Sequence, residues 1–261
     1  MGKTRTICFT NNKGGSGKTT ACANLGYELS RLGRRVLLVD GDMQMNLTLS
    51  YFDEEQALQI AQSRQTLYEA VCGKRDLTGY VHSTSWLWID LIPATTLMSR
   101  IEFDLFTMMQ RELVLKKCLQ PLKEAGTYDY ILLDAPPTLG CWVMNILCAS
   151  DYAIIPVEAS PWGLFGLANL FEFLGQLDDL TKLQVLGILV TRADERKKYF
   201  RQTMDSLADM EEMHIFETCI HTDAAVEWSQ DASKPIGAFR PRARSTQEFS
   251  RLAKEVEALW Q

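Results

Sequence analysis

Ten consecutive residues near the N-terminus, Asn11-Asn12-Lys13-Gly14-Gly15-Ser16-Gly17-Lys18-Thr19-Thr20, have the types and spacing to hold a phosphate chain. They lie between an apolar run, Thr6 to Thr10, and a segment in which Ala21, Leu25, Leu29 and Leu32 fall at i, i+4, i+8 and i+11. A strand feeding a glycine-rich turn and then a helix lets backbone N–H groups converge on phosphate oxygens, since glycine removes the side chain that would obstruct them. The helix N-terminus adds partial positive charge. In the Gly-Lys-Thr ending, Lys18 is spaced to reach the β- and γ-phosphates of a nucleotide, and the Thr19 hydroxyl to ligate Mg²⁺. Gly14, Gly15, Ser16, Gly17 and Thr20 complete the cradle. The pattern G-x-x-x-x-G-K-[ST] is broken at one place, where Asn12 replaces the first glycine, and a second lysine, Lys13, precedes Lys18 by five residues.

The elements that must position this loop are legible as alternating apolar and amphipathic stretches. Strand-length runs occur at Thr6 to Thr10, Val36 to Val39, Leu87 to Ile92, Tyr130 to Leu133, Ala153 to Val157 and Val185 to Val190, with helical patterns between them. That alternation predicts an α/β fold with a mainly parallel, doubly wound sheet and helices on both faces. The first helix packs one face on the sheet, and Gly33 closes it. Tyr51 to Trp86 is mixed and partly helical, without a linker or repeat. Thr246 to Gln261 gathers Phe249, Leu252, Val256, Leu259 and Trp260 on one face, and its charges Arg251, Lys254, Glu255 and Glu257 cancel, which predicts core packing rather than a membrane-surface helix. One domain spanning residues 1–261 is the expectation.

Composition narrows the classes of partner. The chain has 261 residues, 46% hydrophobic and 23% charged, and its 27 Lys+Arg against 33 Asp+Glu leave a net charge of −6. Disordered, collagenous and coiled-coil chains are excluded, and any nucleic-acid contact must use a local patch. The seven cysteines, at 8, 22, 72, 118, 141, 148 and 219, form no C-x-x-C pair and no zinc spacing with His82, His214 and His221. They read as buried thiols of a reducing cytosol. Without a signal peptide or an apolar run of spanning length, a cytoplasmic location is expected. Met1-Gly2-Lys3-Thr4-Arg5-Thr6 fits the loose myristoylation pattern, but a strand beginning by Thr4 would tether the acyl chain to the core.

Lys13 to Thr20 resembles the deviant Walker A motif K-G-G-x-G-K-T-T of the ParA/MinD superfamily of dimerising ATPases. The resemblance implies that the Lys13 ammonium crosses a dimer interface to the partner subunit's nucleotide. Val36 to Thr48, VLLVDGDMQMNLT, is similar to the family's switch I, V-L-L-[IV]-D-x-D-P-Q-G-N-x-T. Asp42 is thereby the candidate for positioning the attacking water and a Mg²⁺-bound water, with Asp40 in support. Met43 and Met45 replace the usual proline and glycine. Tyr128 to Gly140, YDYILLDAPPTLG, resembles the Walker B and switch II segment Y-D-x-I-[IL]-[IL]-D-x-P-P-[ST]-L-G, which makes Asp134 the carboxylate that holds a water of the Mg²⁺ shell. Pro136 and Pro137 end that strand.

Weaker likeness continues through Leu91-Ile92-Pro93-Ala94, Ile155-Pro156-Val157, Gly187 to Thr191 and Pro235-Ile236, so the resemblance spans almost the whole chain. Where the family often carries a glutamate four residues after the proline of I-P-V, this chain has Ser160, followed by Pro161 and Trp162. Nothing precedes the first strand, so the helix-turn-helix extension of larger ParA proteins and its operator binding are not expected.

The function implied is a ParA-like partition or positioning ATPase using ATP and Mg²⁺, closing as a sandwich homodimer in ATP. The dimer would bind DNA non-specifically, and a ParB-like or other adaptor would release it by stimulating hydrolysis. In such a cycle the protein is cytoplasmic, associated with the nucleoid through DNA, and needs no membrane. Candidate DNA contacts are Arg192, Arg196, Lys197, Lys198 and Arg201, diluted by Asp194 and Glu195, with Arg240, Arg242 and Arg244 as a second patch. Two other classes share the loop. A MinD-like membrane-positioning ATPase is disfavoured by the neutral last helix. A reductase like the nitrogenase iron protein would need paired cysteines around Asp134; Cys141 is suitably placed, but Cys118 is too close upstream.

Overall fold

The computed structural model describes residues 3–160, 163–177, 179–210 and 213–260. Gly2, with which the acylation pattern begins, lies outside them, as do Pro161, Trp162 and Gln261.

The strands are β1 (Arg5–Phe9), β2 (Val36–Asp40), β3 (His82–Ser83), β4 (Ile89–Ile92), β5 (Tyr130–Asp134), β6 (Tyr152–Glu158) and β7 (Gln184–Thr191). They form a seven-stranded sheet in the order β3-β4-β2-β5-β1-β6-β7, parallel throughout except for the short β3 on β4. β2 and β5 are buried at every position, as expected of central parallel strands covered on both faces. Around them run α1 (Lys18–Arg31), α2 (Asn46–Leu49), α3 (Glu54–Ser63), α4 (Leu67–Cys72), α5 (Ile101–Phe106), α6 (Val114–Ala125), α7 (Cys141–Ala149), α8 (Phe165–Gly175), α9 (Lys198–Ala208), α10 (Ala224–Asp231), α11 (Ile236–Phe239) and α12 (Arg244–Ala258).

Alternate strand residues feed opposite layers. Leu38, Tyr130 and Leu132 pack with Leu25 and Leu29 of α1 and with Phe249, Leu252 and Val256 of α12. Leu37, Ile131 and Leu133 pack instead with the layer of α4, α6 and α7. α8 and α9 cover the β6–β7 edge through Leu167, Leu170 and Leu207. Because β5 separates β1 from β2, the chain leaves β1 through α1 and re-enters the sheet two places away. The C-terminal ends of β1, β2 and β5 therefore open into one crevice, where α/β sheets bind ligands.

The predicted α/β architecture holds, with shifts at element ends. β4 begins at Ile89 rather than Leu87, because Trp88 turns the chain at φ +67° and leaves Leu87 exposed. Leu32 follows the last turn of α1 and is exposed, while Gly33 takes the left-handed conformation expected of the cap. α12 begins two residues before Thr246. Leu259 lies past its end and is exposed, and Trp260 packs on Tyr152 at 4.7 Å between ring centres. All seven cysteines are free thiols, but Cys72, Cys141 and Cys219 are only half-buried. No helix among the described residues is long and apolar enough to cross a membrane.

Candidate nucleotide site

The loop between β1 and α1 is fixed at both of its ends. On the entry side, Asn11 donates from Nδ2 to the Pro156 carbonyl of β6 at 2.7 Å, and its Oδ1 accepts the Lys13 N–H at 2.9 Å. On the exit side, the Thr191 hydroxyl of β7 donates to the Ser16 carbonyl at 2.8 Å. Gly17 has φ +87° and presses on the Thr191 side chain, a place where a side chain would meet both strain and a 3.3 Å contact. The sequence places Asn11 in the phosphate loop and Thr191 at the end of an apolar run, but gives no sign that Asn11 bonds to β6 or that Thr191 bonds to the loop.

Lys18, the first residue of α1, is 6% exposed, and its Nζ donates to the Lys13 carbonyl at 3.1 Å across the mouth of the loop. Burial pulls its pKa down, while Asp134 and Asp42 pull it back up. Thr19 donates its hydroxyl to Asp134 Oδ2 at 2.6 Å. Asp134 is fully buried, and burial pushes its carboxyl well above the usual carboxylate range, with Asp40 adding to the push and Thr19 and Lys18 opposing it. Its Oδ1 is buried with no hydrogen-bond partner among the described residues. A free buried acceptor beside a threonine hydroxyl and two further aspartates suits a hydrated divalent cation. Among the described residues no cluster of His, Cys, Asp or Glu could hold a metal ion unaided. A bound Mg²⁺ would thus be shared between Thr19, Asp134-held water and nucleotide phosphate.

Switch I leaves β2 between two carboxylates with different duties. Asp40 is fully buried and accepts from the Thr48 N–H at 2.8 Å, the Thr48 hydroxyl at 2.7 Å and the Asp42 N–H at 3.1 Å. It closes the loop from Asp40 to α2, and burial still lifts its pKa to about 6. Asp42 is 9% exposed and accepts the Gln44 N–H through Oδ1, which leaves it beside the crevice. Between them, Gly41 lies so near the sheet that an added methyl would come within 2.6 Å of the Asp134 carbonyl. The Gly41 carbonyl accepts the Trp142 indole N–H at 2.8 Å, a tie from α7 to switch I that the sequence reading missed. Met45 occupies the left-handed region at φ +59°, so the position where the family pattern has glycine keeps glycine's conformation without glycine.

Lys13 stands at the rim. Its Nζ donates to Glu158 Oε2 at 2.5 Å and to the Ser160 hydroxyl at 2.8 Å. Against the upward pull of partial burial, Lys13, Ser160 and Arg192 hold Glu158 below the ordinary carboxylate value. Ser160, which stands where the family often has a glutamate, gives Lys13 a hydroxyl, and the carboxylate comes from Glu158 at the end of β6. Farther out, Arg196, Lys197, Lys198 and Arg201 are exposed around the N-terminus of α9, and Asp194 holds Arg196 at 2.8 Å. The Arg192 guanidinium reaches toward Gly15 of the loop and Glu158. Arg240, Arg242 and Arg244 line a separate cleft of about 630 Å³ beside the start of α12.

Residues 4–186 match the family model described as an AAA domain. The chain is 35% identical to the sporulation initiation inhibitor protein Soj of Bacillus subtilis, covering 99% of each. Among solved structures, cobyrinic acid a,c-diamide synthase of Mycobacterium smegmatis with ADP and magnesium superposes with a TM-score of 0.82 at 26% identity, over 98% of this chain and 95% of that one. A plasmid partition protein of Borrelia burgdorferi bound to AMPPNP shares the fold, with a TM-score of 0.83 at 23% identity over 98% and 100% of the two chains. With the Lys13 and Lys18 pair, Asp42 and Asp134 at the ends of the same three central strands, the chain belongs to the ParA/Soj family of deviant Walker A P-loop ATPases.

Proposed function

We propose that this protein binds Mg²⁺–ATP in the crevice above β1, β2 and β5, closes with a second copy over two nucleotides, and binds DNA non-specifically in that closed form until hydrolysis releases it. The observation that carries the reading is the division of the two lysines. Lys18 is buried within its own subunit's cradle, while Lys13 stands at the rim on contacts that it can exchange.

Within one subunit, the backbone of Gly14 to Thr19 and the Lys18 ammonium neutralise the phosphate chain. When bound, Mg²⁺ would be held through Thr19, Asp42 and Asp134, directly or by water, and would supply further neutralisation of phosphate charge. Asp42 orients the attacking water and accepts its proton as the water oxygen bonds to the γ-phosphorus and the bond from that phosphorus to the bridging oxygen breaks, releasing ADP and phosphate, while Asp40 holds the loop that carries Asp42. In the closed dimer the Lys13 ammonium leaves Glu158 and Ser160 for the partner's phosphates, where two symmetric charge-assisted contacts favour association. A stimulating adaptor of the ParB kind would act on this closed form.

Arg196, Lys197, Lys198 and Arg201 form the surface offered to DNA. The test is DNA binding measured with ATP, with ADP and without nucleotide. Binding should require ATP, ignore sequence and weaken steeply with salt, by about −0.9 in log–log slope per phosphate contact. Arg196→Glu with Lys197→Glu should abolish it and leave DNA-free ATPase activity unchanged. Retained binding in that double variant moves the surface to Arg240, Arg242 and Arg244, and sedimentation with anionic liposomes instead of DNA replaces the DNA reading with a membrane one.

A further inference from the structure

Arg192 follows β7, the strand whose last residue, Thr191, is bonded to the phosphate loop. Its backbone is held in the left-handed region at φ +49°, a conformation that an arginine seldom adopts. The preceding Thr191 is locked to the loop by its hydroxyl bond to the Ser16 carbonyl. Together these turn the Arg192 side chain back over the cradle. A methyl group placed on Gly15 would lie 4.0 Å from Arg192 Nη1, and the same Nη1 is 3.9 Å from Glu158 Oε1. Glu158 thus divides its two oxygens between two cations, Oε2 to Lys13 and Oε1 toward Arg192. The Arg192 side chain remains 59% exposed, so it has room to move the short distance from carboxylate to ligand.

We propose that Arg192 is a nucleotide-binding residue whose guanidinium contacts the polyphosphate of the nucleotide in its own subunit, with Glu158 as its counter-ion when the cradle is empty. A guanidinium offers several N–H donors in a planar fork suited to phosphate oxygens, whereas Lys18 acts as a point charge from below. Position distinguishes the two: Lys18 sits under the loop, and Arg192 closes over its glycine face. Lys13 is the cation that can leave for a second subunit, and Arg192 is the one whose backbone ties it to its own. The inference rests on nucleotide binding at the P-loop and adds a cation from β7 to it.

The experiment is equilibrium titration of the full chain with ATP and with ADP, without DNA, for wild type, Arg192→Met and Arg192→Lys. Both replacements keep a long side chain on the same left-handed backbone, so the difference between them isolates the charge. Arg192→Met should weaken ATP and ADP about tenfold, the worth of one charge-assisted contact, and lessen the salt dependence of binding; Arg192→Lys should recover part of the loss. Wild-type affinity in Arg192→Met overturns the proposal, and so does equal weakening in both variants, which would report backbone or packing damage. Loss of DNA binding with unchanged nucleotide affinity would return Arg192 to the DNA surface. Failure of the P-loop reading looks different, because wild type itself would then bind no ATP and match Lys18→Ala.

Discussion

Lys18 and Lys13 stand five residues apart in one loop, yet they belong to regions built in different ways. Lys18 is 6% exposed, over a floor in which the Thr19 hydroxyl is bonded to the buried Asp134 and the buried Asp40 accepts the backbone N–H groups of Asp42 and of Thr48 in α2. The Lys13 side chain is 26% exposed, on a rim where its partners are a glutamate and a serine from the end of β6 and the loop after it. Groups on the floor cannot be exchanged without exposing buried charge, so the floor acts within one subunit. A partly exposed ion pair can be traded for phosphate oxygens at a lower desolvation cost than a fully buried one, so the rim can take part in association.

Breaking the floor should have the largest effect. Lys18→Ala removes the cation beneath the phosphates, and ATP affinity measured by equilibrium titration should fall by about a hundredfold or more. Next is Asp42→Ala, which should leave ATP binding near wild type while single-turnover hydrolysis slows by about two orders of magnitude. Unchanged single turnover would remove Asp42 from water positioning.

Asp40 sharpens the contrast through pH. Its folded-state pKa is raised from 3.8 to about 6, mainly by burial, so the folded chain binds the proton more tightly than the unfolded chain does. Folding stability in the absence of nucleotide should therefore fall as pH rises between about 4 and about 6, since ionisation then costs the folded state more. Asp40→Asn should flatten that stretch of a thermal-unfolding series, and an unaltered slope would mean that Asp40 is not its source. The smallest effect is at Met45. Met45→Gly relieves a left-handed backbone but adds unfolded-state freedom, so it should change stability by no more than about 1 kcal/mol in chemical denaturation.

The floor was legible in the sequence because its parts are sequence-local. Glycines, a lysine and a threonine fall in one loop, and aspartates close apolar runs whose burial could be read from their lack of polar residues. The rim was half-legible. Lys13 stood out, but Glu158 meets it only because β6 lies beside β1, and Arg192 reaches Glu158 because β7 lies beside β6, an order that the chain does not announce. The Trp142 bond to Gly41 was hidden for the same reason, 101 residues separating the pair. Leu32 and Leu259 were misplaced because periodicity continues past a helix end where the backbone does not. The short antiparallel β3 offers only two residues of pattern, too few for an alternation to show.

The division between floor and rim is tested most directly by the mass of the Lys13→Ala, Asp42→Ala double variant in saturating ATP, read by light scattering after size exclusion beside Asp42→Ala alone. With hydrolysis suppressed, Asp42→Ala should run as a dimer. The double variant should bind ATP within about tenfold of Asp42→Ala yet remain a monomer, because only the exchangeable lysine has been removed. A stable ATP-dependent dimer from the double variant would contradict the account, leaving Lys13 as a solvated loop lysine held by Glu158 and Ser160.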